Sequence, residues 1–259
     1  MRMMKKVLGT VTVLALSVSL LAGCGSTAVS PVSSTASTAA ESTTSSVVSE
    51  TTSAAADENE AAAAQLLNDL TGSYQELWPV ILADEYKQTW LDDCTALVGE
   101  DNAEAAFEKL SSMVTGDVYG EDAVKAYANG GGAYFCGFTN SLATLTFDGE
   151  TSTISGTDKD GNVLFSHTYH YIGMEPVHGL YEFESDDADS GEFTYFFLAP
   201  DTSAETYHIE FRYGSDADAL SQYDAGDYAY WLASGISTDC DQTMIDNCIE
   251  LFCTENLAG

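Results

Sequence analysis

A histidine and a carboxylate stand two residues apart in the segment Tyr207–Tyr213, which reads YHIEFRY. The alternation predicts a strand. Tyr207, Ile209, Phe211 and Tyr213 fall on one face, and His208, Glu210 and Arg212 on the other. Two residues of strand separate His208 from Glu210 by about 7 Å. An imidazole and a carboxylate so placed can share one divalent ion if a third donor arrives from a neighbouring loop. Asp201, in the loop before the strand, is the candidate third donor. Arg212 extends the same face, and its charge opposes a cation. A polar strand face carrying a Glu210–Arg212 pair accounts for the same residues without a metal.

Other chemistry-bearing residues form weaker groups. His167 and His170 lie on opposite faces of their strand and cannot join one site, and His178 follows Pro176 in a turn. Asp186, Asp187 and Asp189 make an acidic turn that lacks the glycine and closing glutamate of a calcium loop. Cys94, Cys136, Cys240, Cys248 and Cys253 do not have zinc-ribbon spacing. Core packing or disulfide pairing are their expected roles, with pairings that spacing leaves open. Neither Gly-x-Ser-x-Gly nor HExxH occurs, and Gly130-Gly131-Gly132 reads as a plain turn rather than a phosphate loop. No enzyme is expected.

The elements that must position these groups follow from periodicity. Leu66, Leu70, Tyr74, Leu77, Trp78 and Ile81 recur at helical steps, interrupted at Gly72 and Pro79. Phe107, Leu110 and Val114 mark a second helical face. After Asn129-Gly130-Gly131-Gly132 the pattern becomes short strands and turns. Leu145 and Phe147 precede Asp148-Gly149, and Asp160-Gly161 offers another hairpin turn. Strands follow over 165–172, 181–184, 193–198 and 207–213. Ser237 or Thr238 is placed to cap a last helix carrying Met244, Ile245, Cys248, Ile249 and Phe252. The expectation is a mainly β, α+β domain: an antiparallel β-barrel with flanking helices.

The N-terminus carries an address. Arg2, Lys5 and Lys6 precede an apolar run, Val7 to Leu21, too short for a stable span. Leu21-Ala22-Gly23-Cys24 resembles the lipobox of bacterial lipoproteins. That resemblance implies cleavage after residue 23 and lipid on Cys24, with two or more acyl chains making the anchor stable. The expected location is the extracytoplasmic face of a bacterial cell membrane. Residues 24–60 are then anchor and Ser/Thr/Ala-rich tether, about 30 Å in root-mean-square reach, and 61–259 form one domain. Cleavage lowers Lys+Arg from 8 to 5 and leaves all 41 Asp+Glu, a net charge of −36. A nucleic-acid partner is excluded on that balance, because phosphate binding needs a basic face.

Several segments, in order, resemble the zinc-binding, lipocalin-like (calycin) family of ZinT and the C-terminal domain of AdcA. Leu70 to Pro79 (LTGSYQELWP) resembles W-x-G-x-W-Q-S-x-Y-P. Tyr169 to Gly173 (YHYIG) resembles Y-K-Y-V-G, and Phe183 to Tyr195 (FESDDADSGEFTY) resembles F-E-A-T-D-A-D-A-G-Q-F-K-Y. His208 to Asp216 (HIEFRYGSD) resembles H-F-H-I-F-x-G-x-D/E. The resemblance implies a calycin barrel and a metal site of three histidines spaced H-x8-H-x-H. Counting from Gly191 and Gly214, with a loop two residues shorter, places Asp201, His208 and Glu210 at those positions. Only His208 keeps its type. The run before the last helix, Tyr228-Ala229-Tyr230-Trp231-Leu232-Ala233, also departs from the family's aromatic-proline pattern. Two carboxylates for two imidazoles make a harder site, which would take Zn2+ with less discrimination against manganese or calcium. The implied role is zinc capture near a membrane, with delivery to the binding protein of a zinc ABC importer. The other reading is a barrel that has lost the metal and holds an apolar ligand or docks a partner through its Tyr, Phe and Trp residues.

Overall fold

The computed structural model describes residues 58–114, 116, 118–132, 134–200 and 208–258. Cys24, residues 25–57, Asp201 and Tyr207 lie outside them, and residues 58–60 of the expected tether are helical.

Eight strands close into an antiparallel barrel in sequence order: β1 (Gly72–Glu76), β2 (Thr144–Asp148), β3 (Thr153–Thr157), β4 (Val163–Met174), β5 (Tyr181–Ser185), β6 (Tyr195–Leu198), β7 (His208–Gly214) and β8 (Ala233–Ser237). This is the up-and-down order of a lipocalin-like barrel. Closure is made by β1, which pairs with β2 through Tyr74↔Leu145 and with β8 through Tyr74↔Ser237.

The meander from β2 to β7 follows the order of strands read in the sequence. The residues between Asn129 and Gly132 do mark the change from helix to strand. Two strands depart from expectation. Periodicity placed Tyr74 on a helix, yet a helix over residues 58–69 (α1) ends before Gly72, and Tyr74 points into the barrel from β1. Gly72 has φ +146°, a conformation that ends the helical course and is open to a residue without Cβ. The second is β8, with sequence ASGIS, whose small residues carry little hydrophobic alternation. Ser237 is therefore the last residue of a strand rather than a cap. The last helix, α7 (Gln242–Leu257), is capped by Asp241, whose carboxylate accepts the Met244 N–H at 3.0 Å.

Between β1 and β2 lie α2 (Leu77–Ile81), α3 (Lys87–Val98), α4 (Glu100–Val114) and α5 (Glu121–Ala128). Pro79 sits in the first turn of α2, where no helical N–H is required. A four-residue helix, α6 (Ala217–Leu220), follows β7.

Two cores result. Inside the barrel, Phe147, Phe165, Tyr169, Phe183, Phe196, Phe211 and Tyr213 pack with Leu145, Ile154 and Leu198, and all are buried. The rings interlock: Phe165 stacks on Phe193 at 4.0 Å, and Phe196 meets Tyr169 edge-on at 5.4 Å. A Cβ on Gly156 would come within 2.4 Å of the Phe165 ring, so the glycine makes room for it. The barrel interior is thus filled by its own side chains. The second core lies between the outer face around β8 and the helices, joining Ile236 to Leu77, Trp78, Trp90, Leu110, Ile245 and Ile249. Phe107, Leu110 and Val114 of α4 all contribute to it, as their spacing implied.

Candidate metal centre

β7 places His208, Glu210 and Arg212 on its outer face and Ile209, Phe211 and Tyr213 in the barrel core, as the alternation requires. His208 is paired across the strands with Ile236 and Glu210 with Ser234, so both lie where the helical layer meets the barrel. Both are half-buried. Glu210 faces two thiols. Burial, and then the Glu210 carboxylate, push the thiols of Cys136 and Cys248 up to about 12. At neutral pH both remain protonated and are weak metal donors in that state.

Arg212 is committed to the loop after α6. Its guanidinium is fully buried and donates to the carbonyls of Leu220, Gln222 and Tyr228 while lying 4.2 Å from the Tyr223 ring centroid. Burial lowers its pKa, and the surrounding Tyr223 and Glu175 oppose that shift. Arg212 thus braces the loop over residues 220–228, while its charge remains on the same face of β7 as His208 and Glu210. Glu175, itself buried, completes the column. Its two oxygens accept the N–H groups of Val177 and His178, and the His178 ring packs against Tyr223 at a tilt of 36°, with centroids 3.8 Å apart. Sequence reasoning left this cluster unread. The signal was Arg212 itself, the single arginine beyond Arg2 in a chain with 41 acidic residues.

The remaining histidines have structural partners. His167 Nδ1 lies 2.8 Å from Asp187 Oδ2, and His170 Nδ1 lies 2.8 Å from Asp186 Oδ1. The two pairs hold the acidic turn after β5 against β4 from opposite faces. The turn closes further through Ser190 Oγ, which donates to Ser185 Oγ at 2.7 Å.

Among the described residues no three His, Cys, Asp or Glu side chains converge closely enough to hold a metal ion. His208 and Glu210 supply two donors of the right chemistry on one face. A third would have to come from the segment that contains Asp201, outside the described residues. No helix among the described residues is long and apolar enough to cross a membrane. A cleft of about 360 Å³ opens beside β1 and α2, lined by Glu76, Trp78, Leu82, Val114, Phe135 and Cys136.

No protein-family model matches the chain, and no curated protein does. Among solved structures it is similar to the Zn(II)-bound ZinT-like domain of Streptococcus pneumoniae AdcA, at 15% identity and a TM-score of 0.45, over 71% of this chain and 89% of that one. It is also similar to Zn(II)-bound AdcA from Streptococcus pneumoniae, at 14% identity and a TM-score of 0.43. That match covers 72% of this chain but only 35% of the AdcA chain, about a third of its length.

Proposed function

We propose that this protein is a surface-tethered lipoprotein that binds a divalent metal, Zn2+ or a similar ion, and assists its capture and uptake. The observation that carries the reading is the placement of His208 and Glu210. They share the outer face of β7, and both are half-buried. Such a pair needs one further donor, and Asp201 stands in the segment that leads into β7. His208 and Glu210 would then hold the ion and Asp201 would complete its coordination. The role is binding and transfer, not catalysis. Lipid on Cys24 and the Ser/Thr/Ala-rich segment behind it would keep the domain near a membrane importer, whose zinc-binding protein is the natural recipient.

The test is titration calorimetry of the purified protein with zinc, manganese and calcium. One zinc ion per chain is expected, with binding abolished in the His208→Ala, Glu210→Ala double variant and weakened at least tenfold by Asp201→Ala. Absence of binding for all three ions above buffer level overturns the reading. So does zinc binding that survives the double variant.

A further inference from the structure

All five described cysteines lie in the helical core, and two of them touch. Cys94 on α3 and Cys253 on α7 are completely buried, with their Sγ atoms 3.9 Å apart. We propose that Cys94 and Cys253 are an oxidisable pair that closes into a disulfide linking α3 to α7, while Cys136, Cys240 and Cys248 remain thiols. This inference does not depend on the metal-binding reading.

The geometry favours this pairing over others. A disulfide needs its sulfurs about 2.05 Å apart, so each sulfur must move by about 1 Å, within reach of small rotations about the Cα–Cβ bonds. α3 and α7 already pack together along this seam, with Trp90 of α3 edge-on to Phe252 of α7 at 5.8 Å. Cys248 and Cys253 belong to the same helix, five residues and about 140° of rotation apart, so they cannot bridge each other. Cys94 and Cys253 are the pair of thiols in direct contact, beside Asp93, whereas Cys136 and Cys248 have the Glu210 carboxylate for a neighbour.

The reaction is thiol–disulfide exchange with a small-molecule or protein disulfide as oxidant. One cysteine loses its proton, and its thiolate attacks a sulfur of the oxidant. A mixed disulfide forms and a thiolate leaves, which takes up a proton. The second cysteine, deprotonated in turn, attacks the mixed disulfide and expels the other half of the oxidant as a thiol. Two cysteine thiols lose two protons and two electrons, and one oxidant disulfide becomes two thiols. Burial pushes both cysteine thiols up in pKa, which slows attack from the folded state. Oxidation therefore proceeds while α7 is undocked, either during folding or in local opening. The bond closes a loop of about 160 residues, a length at which a cross-link constrains the unfolded chain strongly.

The experiment compares the full chain folded in a glutathione redox buffer with the same chain kept in excess reductant. Each sample is denatured in an alkylating agent and mapped by mass spectrometry without reduction. A Cys94–Cys253 linked peptide, 2 Da below the two free peptides, is expected, with Cys136, Cys240 and Cys248 alkylated. Thermal unfolding should be raised by about 5–10 °C in the oxidised sample. Cys94→Ala should abolish that rise and Cys240→Ser should leave it intact. A linkage between any other pair, or full alkylation of Cys94 and Cys253 after redox folding, overturns the proposal. The map is read on the unaltered chain, so a variant that fails to fold does not block the test.

Discussion

The guanidinium of Arg212 lies over the ring of Tyr223, 4.2 Å from its centroid, in a position with no exposed surface. Their contact joins β7 to the loop that follows α6, and His178 and Glu175 continue it to the turn after β4. A single buried cation thus organises three carbonyls, two rings and a carboxylate.

Replacing Arg212 should expose how much that organisation stabilises. In Arg212→Met the carbonyls of Leu220, Gln222 and Tyr228 lose their donor in a buried place, which costs about 3–5 kcal/mol in total. Urea denaturation should report that loss, and limited proteolysis should show earlier cleavage between residues 220 and 228. Arg212→Lys should not rescue it, because an ammonium cannot reach the same carbonyls and stack at once. A Lys variant as stable as the parent would contradict this account of the cluster.

Gly149 tests the packing of α1 against the β2–β3 turn. A Cβ at this position would lie 2.4 Å from Asn68 Cα and 2.6 Å from Leu67 O, both backbone atoms that cannot rotate away. Gly149→Ala should therefore cost about 1–3 kcal/mol, seen as a fall in Tm of several degrees. Gly161 offers the contrast in space, since nothing approaches its Cβ position. There the barrier to substitution is its φ of +80° alone.

Asp93 gives a pH dependence with a defined sign. Burial, and then the negative charges of Glu250, Asp246 and Asp92, raise its pKa, and its buried Oδ2 has no hydrogen-bond partner. A carboxyl whose folded pKa lies above its unfolded value favours folding in its protonated form. That stabilisation is complete below the unfolded pKa of about 3.9 and is lost as pH rises through the folded value. Asp93→Asn should therefore raise Tm at pH 7, and the advantage should shrink to nothing towards pH 3. Calorimetric melts across that range decide it. An equal gain at both ends of the range would assign the effect to something other than this titration.

The strands that proved legible and those that did not differ in a physical way. β4, β5 and β7 alternate inward aromatic with outward polar residues, because one face fills the barrel and the other is wet or covered by polar contacts, whereas β6 (YFFL) is apolar on both faces and reads as a strand from its aromatic run. β1 was concealed because Tyr74 stands four residues after Leu70 and three before Leu77, spacing that a helix would also produce. β8 was concealed because its neighbours demand small side chains. A Cβ on Gly235 would approach the Ile209 side chain at 3.1 Å. The candidate site divides in the same manner. Strand parity fixed the common face of His208 and Glu210. The fate of Arg212 depended on carbonyls 8 to 16 residues away, which no local pattern encodes.

The pairing of β1 with β8 also sets an order on folding. Tyr74 meets Ser237, and Glu76 meets Gly235, across nearly the whole length of the described chain. A polypeptide released N-terminus first holds β1 with one edge unpaired until almost its last residues have appeared. Contacts so distant in sequence form late and slowly, after the local hairpins of the meander. The molecule therefore stays an open sheet for most of its own emergence, and a chain cut short anywhere before residue 233 would have no strand with which to become a barrel.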